Sequence, residues 1–181
     1  MTHRLAPFVL LAGLLCASRS SAEVVDSSAV GLRIHNEATV HATPAAVYAA
    51  LVNHIGDWWN PEHSFSGDAH NLSLEAKPNG CFCEKLPGGG GVRHQTVIYV
   101  APGKELRLSG AIGPLQPEGI AATMTWRLTP ADGGTKLELI YSLGGYFPGG
   151  LSRMAGPVDG VLLQQLTRLK SYVETGTPQP R

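Results

Sequence analysis

The sequence predicts an α+β fold: a curved antiparallel sheet of about six to seven strands wrapped around one long C-terminal helix, with two short helices after the first strand. Three observations carry this. Short alternating segments follow one another, separated by turn residues, in a chain of 181 residues with 22 glycines and 13 prolines. Glycine is therefore about 12% of the chain, where about 7% is ordinary. One long stretch, 157–174, repeats apolar residues at helical spacing. Between the opening strand and the strand succession lies a helix-start signal, Thr43-Pro44.

The elements follow in order. Residues 32–42 alternate loosely and read as the opening strand. Thr43 offers a capping hydroxyl and Pro44 a first helical position, and 45–52 continues as a short helix with Val47, Leu51 and Ile55 on one face. Gly56 to Pro61 stops it, and a second short helical turn or a loop carries Trp58 and Trp59 and runs on to Gly67. Strands are expected at 72–76, 81–86, 92–100, 105–111, 120–129 and 135–143. The turns between them carry the residue types that turn dihedrals favour, as in Pro78-Asn79-Gly80 and Asp132-Gly133-Gly134. A Pro-rich loop fills 113–119. Met124, Trp126 and Leu128 share one face of their strand, and Leu137, Leu139 and Tyr141 share one face of the next. The last helix turns Val158, Val161/Leu162, Gln165/Leu166, Leu169 and Tyr172/Val173 inward and leaves Gln164, Arg168, Lys170 and Ser171 for water. A large antiparallel sheet twists and curves, so a single amphipathic helix lies across its concave face with room for a cavity.

The two ends stand apart from this unit. Residues 1–22 have the three parts of a secretory signal peptide: Arg4 near the start, an apolar run over 6–17, and small residues at Ser20 and Ala22 before a cut ahead of Glu23. The run is too short for a membrane span of about 20 residues. Leu15 stands before Cys16 where a lipid-modification signal wants a small residue, which argues against an anchor. The expected organisation is a signal peptide over 1–22, a linker over 23–30, one domain over 31–176 and a polar tail over 177–181, in a periplasmic or secreted protein. The 14 basic residues balance the 14 acidic ones, which leaves no basic surplus for nucleic acid. No other stretch is long enough for a stable membrane span, and oligomeric state is not readable. With Cys16 removed, Cys81 and Cys83 remain. On a regular strand their Cα atoms stand roughly 6.5–7 Å apart, at or beyond bridging distance, so both read as reduced, packed thiols.

Several stretches resemble a known superfamily. They are the opening Ala42-Thr43-Pro44-Ala45-Ala46-Val47-Tyr48, the Trp58-Trp59 pair, Pro78-Asn79-Gly80 ahead of a strand, Ala101-Pro102-Gly103-Lys104-Glu105-Leu106 between two strands, and Thr125-Trp126-Arg127-Leu128 before a Gly-Gly turn. In these the chain resembles the START-like, helix-grip (SRPBCC) superfamily over roughly 32–174. Within it, the chain is similar to bacterial polyketide cyclase/dehydrase and lipid transport proteins, and to relatives of the C-terminal domain of the Hsp90 ATPase activator. The resemblance implies a cavity for lipids, polyketides, hormones or aromatic acids; a minority of the superfamily are enzymes, and a binding protein of this kind is expected to need no cofactor. Export would separate this chain from a cytosolic chaperone.

No nucleophile elbow, phosphate loop, H-E-x-x-H or C-x-x-C motif is present. His54, His63 and His70 with Asp57 and Asp68 share one loop-rich stretch, but their spacing fits no metal-site template, so no metal is expected. Glu84 and His94 sit on adjacent strands joined by one hairpin, as either a cross-strand surface pair or a buried carboxylate–imidazole pair. In the second case they are the candidate acid and base, or the group that orients a polar part of a ligand. The candidate ligand wall is Trp58, Trp59, Phe65, Glu84, His94, Met124, Trp126, Tyr141 and Met154. The sequence thus favours a binding protein for a small hydrophobic ligand over catalysis. A cyclase/aromatase- or hydrolase-like enzyme and a protein-interaction module are the alternatives.

Overall fold

The computed structural model describes residues 21–178. Eight strands form one antiparallel sheet: β1 (Ser21–Ser27), β2 (Gly31–Val40), β3 (Leu72–Leu74), β4 (Cys81–Lys85), β5 (Gly91–Ala101), β6 (Glu105–Ser109), β7 (Ala121–Ala131) and β8 (Gly134–Gly144). Their order across the sheet is β1-β2-β8-β7-β6-β5-β4-β3, so β2 bridges back to β8 and every later strand pairs with its chain neighbour. Two short helices, α1 (Pro44–Asn53) and α2 (Ile55–Trp58), follow β2, and α3 (Ala155–Thr175) closes the chain. The expected α+β architecture is present, with one strand more than the upper expectation.

That strand is β1, in the stretch expected as a linker. It pairs along β2 as an edge strand, Val24 opposite Ile34. Polar Glu23, Asp26 and Ser27 masked it, since an edge strand half open to water carries charge. The signal-peptide reading of 1–22 falls almost entirely outside the described residues.

The sequence dictates the rest. Thr43 caps α1 by accepting from the Ala46 N–H, and Pro44 occupies its first turn. Strict alternation buries Leu137, Leu139, Tyr141 and Leu143 on β8, opposite Leu128, Trp126, Met124 and Ala122 on β7. α3 packs most extensively on β2, and also on β1, α1 and α2. A single helix cannot cover eight strands, and its N-terminal half stands off the sheet end that carries β4 and β5.

Two strands depart from regularity where the site lies. Phe82 pairs with Gln95 but Cys83 pairs with Arg93, so His94 is an extra residue bulged out of the β5 ladder. The bulge turns two successive residues, His94 and Gln95, toward the interior. Opposite it, β4 is contracted, and the Cys81 and Cys83 Cα atoms are 5.3 Å apart and joined by a disulfide. The expectation of two reduced thiols is therefore corrected: it assumed the spacing of a regular strand, which this register shift shortens.

Candidate functional site: a cavity under the last helix

A cavity of about 590 Å³ lies between the sheet and the N-terminal half of α3. Trp59, Leu72 and Phe82 form its floor, Met154, Val158, Val161 and Leu162 its helix side, and residues 112–117 its far wall. Phe65 borders it and is 54% exposed, so the cavity opens to solvent there. His63, Ser64, Glu62 and Gln116 are the polar groups of the wall besides His94.

Each wall is pinned by a polar contact behind it. The α2 C-terminus would leave carbonyls unmet. Arg168 of α3 meets them, its Nε donating to the Trp58 carbonyl at 2.8 Å and a terminal nitrogen to the Trp59 carbonyl at 3.4 Å. Gln165 Oε1 accepts from the Asn60 N–H at 2.9 Å, and Gln164 Oε1 from Asn60 Nδ2 at 2.9 Å. Arg168 is buried, not turned to water as its charge led us to expect. Together these contacts hold the strap that presents Trp59. The far wall is held by Tyr141, whose hydroxyl accepts from the Ile112 N–H at 3.2 Å. Burial pushes the Tyr141 phenol up to about 12, against a smaller downward effect of that bond. Gln116 Nε2 donates to the Arg93 carbonyl at 2.8 Å and ties the loop to β5 beside His94.

At the back of the cavity sits the polar pair. Glu84 is 2% and His94 6% exposed, so they are a buried pair and not a surface one. His94 Nε2 and Glu84 Oε2 are 2.9 Å apart. The same oxygen accepts from the Phe65 N–H at 3.0 Å, and Oε1 accepts from the Ser66 N–H. Burial works to raise the Glu84 carboxyl, but the hydrogen bonds from Ser66, Phe65 and His94 outweigh it and hold it below the ordinary value. For His94 burial dominates and pushes the imidazole down, with Glu84 opposing. At neutral pH the pair is a carboxylate beside a neutral imidazole. An ionised carboxylate only accepts, so Nε2 carries the ring proton and Nδ1 keeps its lone pair. The ring is clasped by Phe82, centroids 4.9 Å apart, and Phe65, at 5.7 Å.

Of the residues expected at the wall, Trp59, Phe65, His94 and Met154 line the cavity. Glu84 stands one layer behind His94. Trp58, Met124 and Trp126 do not line it; they border a crevice of only about 10 Å³ in the packed core, where Trp58 meets Trp126 edge to face. Met124 and Trp126 point inward from β7 as alternation demands, but α1 and α2 fill the space over them, Trp58 of α2 among the filling side chains. Tyr141 is wholly buried and acts through Ile112. Reasoning from sequence did not assign the 112–117 loop to the wall, and it placed Val158 and Val161 on the inward face of α3 without counting them among the ligand residues. Apolar Ile112 and Leu115 within a Pro-rich loop were the available signal, because loops are ordinarily polar and exposed.

Of the histidines weighed as a metal group, His54 and His70 both approach Asp57, the second at 3.8 Å, while His63 stands apart, and the five residues do not form one ligand cluster. His54 Nδ1 bonds Asp57 Oδ2 at 2.9 Å, Asp68 caps the turn at His70, and His63 stands at the cavity. His35, Glu37 and Glu138 do cluster across β2 and β8, where Lys136 Nζ lies 2.9 Å from Glu37. None of these lines the cavity.

A curved antiparallel sheet, one long helix across it and an apolar cavity between them define a helix-grip fold. The chain belongs to the family described as polyketide cyclase / dehydrase and lipid transport, whose pattern it matches over residues 32–174. Solved structures share the fold at low identity. CalU16 from Micromonospora echinospora is 15% identical with a TM-score of 0.57, covering 88% of each chain. A conserved protein of unknown function from Enterococcus faecalis, EF2215, is 16% identical with a TM-score of 0.58 over 90% of this chain and 81% of that one. A protein from Rhizobium leguminosarum is 19% identical with a TM-score of 0.56 over 86% and 98%. No curated protein matches the chain in sequence. Among the described residues no helix is long and apolar enough to cross a membrane.

Proposed function

We propose that this chain is an exported binding protein that holds a small hydrophobic or aromatic molecule between sheet and α3. The observation that carries the reading is the cavity. Protein interiors are close-packed, with few voids larger than a water molecule. A space of about 590 Å³ walled by aromatic and aliphatic side chains is of the size of small-molecule sites, about 300–1,000 Å³. The family's association with lipid transport and cyclisation supports the same reading. The scarcity of charge on the wall suits an uncharged ligand.

The pattern of residues 1–22 supports a periplasmic or secreted location. Cleavage after Ala22 would leave residues 23–27 of β1 on β2. Native mass spectrometry of the protein purified from its own host compartment tests both parts. The expected result is a chain starting at Glu23 that carries a small-molecule adduct lost on denaturation. A chain starting at Met1 would sink the export reading, and a chain that neither carries nor takes up any apolar molecule would sink the binding reading.

The Glu84–His94 contact supports a second reading, a cyclase/aromatase- or hydrolase-like enzyme with the imidazole as base. A compound consumed by the wild-type protein, and held but not consumed by His94→Ala, would establish it. The cavity supports both readings over a protein-interaction module.

A further inference from the structure

We propose that the cavity selects apolar ligands that carry a hydroxyl, and that His94 Nδ1 is the atom that accepts the hydroxyl hydrogen. This rests on the binding reading above and names its ligand class. Three observations carry it.

First, the tautomer is determined by partners. Glu84 accepts two backbone N–H groups, from Phe65 and Ser66, besides the imidazole. A carboxylate so supplied is an acceptor only, and the proton between it and His94 belongs to Nε2. Nδ1 is then an acceptor, and no hydrogen bond reaches it among the described residues. Second, His94 is more than nine-tenths buried yet lines the cavity, so its lone pair takes its partner from the contents of the cavity: solvent in the free protein, and a donor group of the ligand that displaces that solvent. Third, the location is built. The β5 bulge exists at His94 itself and swings it inward, and Phe65 and Phe82 fix the ring from two sides.

The same geometry excludes other chemistries. A ligand carboxylate has no hydrogen to offer Nδ1 and would stand one ring away from the Glu84 charge. A ketone or ether meets the lone pair with another acceptor. A hydroxyl satisfies it, and a phenol does so while its ring packs on Trp59, Phe82 and Val161.

The test uses biphenyl-4-ol, 4-methoxybiphenyl and biphenyl-4-carboxylate, read by quenching of tryptophan fluorescence, since Trp59 is in the wall. The phenol is expected to bind about 10-fold tighter than its methyl ether, the effect of one hydrogen bond to an otherwise unpartnered acceptor. The carboxylate is expected to bind weakest. In His94→Phe the phenol and ether should converge. Because that substitution also strips a partner from Glu84, the ring is read directly in the wild-type protein by 15N NMR, where Nε2 protonated and Nδ1 bare is expected at neutral pH. Equal binding of phenol and ether, tightest binding of the carboxylate, or a ring protonated at Nδ1 overturns the proposal and leaves the binding reading standing. Failure of all three probes to bind overturns the proposal as well, and the binding reading is then decided by the adduct search described above.

Discussion

A carboxylate with 2% exposure needs partners, because an ion taken from water without them is strongly destabilised. Glu84 has three donors, two of them backbone N–H groups of the 65–66 strap. The contact is reciprocal: the strap has no regular element of its own, and the carboxylate is what fixes it over the cavity mouth. Glu84→Gln keeps the shape but replaces one accepting oxygen with an NH₂ group that faces donors. It is expected to lower unfolding stability by about 2 kcal/mol, the penalty of a buried donor left unmet. Phe65 should become more mobile with it. Urea denaturation measures the first, and hydrogen exchange at Phe65 and Ser66 the second. A loss under about 0.5 kcal/mol would be the behaviour of a surface pair and would contradict the burial described above.

At the scale of elements, what the sequence displayed depended on periodicity. The strands β6 to β8 and the helix α3 lie where alternation and the 3.6-residue repeat put them, because packing against one core enforces both periods. Elements that break period were not legible. The bulge at His94 has no sequence mark, so neither the disulfide opposite it nor the depth of the Glu84–His94 pair could be derived, although the pairing could. The core positions of Trp58, Met124 and Trp126 depended on how far α1 and α2 reach over the sheet. Arg168 broke the rule that a charged residue on a helix faces water, since the backbone carbonyls after α2 supply its partners. Arg168→Met retains the apolar stem and removes the donors. It is expected to destabilise the protein by about 2 kcal/mol, as for a hydrogen bond to a charged group, and to weaken ligand binding through a displaced Trp59. The denaturation midpoint and the ligand titration measure these. Unchanged affinity in a stable variant would show that the strap holds Trp59 without α3.

For the whole molecule, the cavity and the buried pair come from one arrangement. α3 lies mainly on the β2 side, so the sheet end with β4 and β5 is left with a cavity over it, and Glu84 and His94 at the back of that cavity titrate as buried groups. Both shifts have the same sign. Glu84 lies below its ordinary 4.5 and His94 below its ordinary 6.5. The unfolded chain therefore binds these two protons at higher pH than the folded one, and stability rises with pH across each interval. The contribution of His94 is complete above pH 6.5 and is lost as pH falls below it; that of Glu84 is complete above 4.5 and is lost below that. In urea titrations the midpoint should be level from pH 7 to 8 and should decline from about 6.5 downward, by at most about 1.4 kcal/mol per pH unit for one proton. His94→Gln should abolish the first decline and keep the second. The opposite slope, stability gained between pH 7 and 5, would mean an imidazolium paired with the carboxylate. That outcome would leave Nδ1 protonated, with no lone pair to offer a ligand, so the curve for the whole molecule checks the chemistry of a single nitrogen.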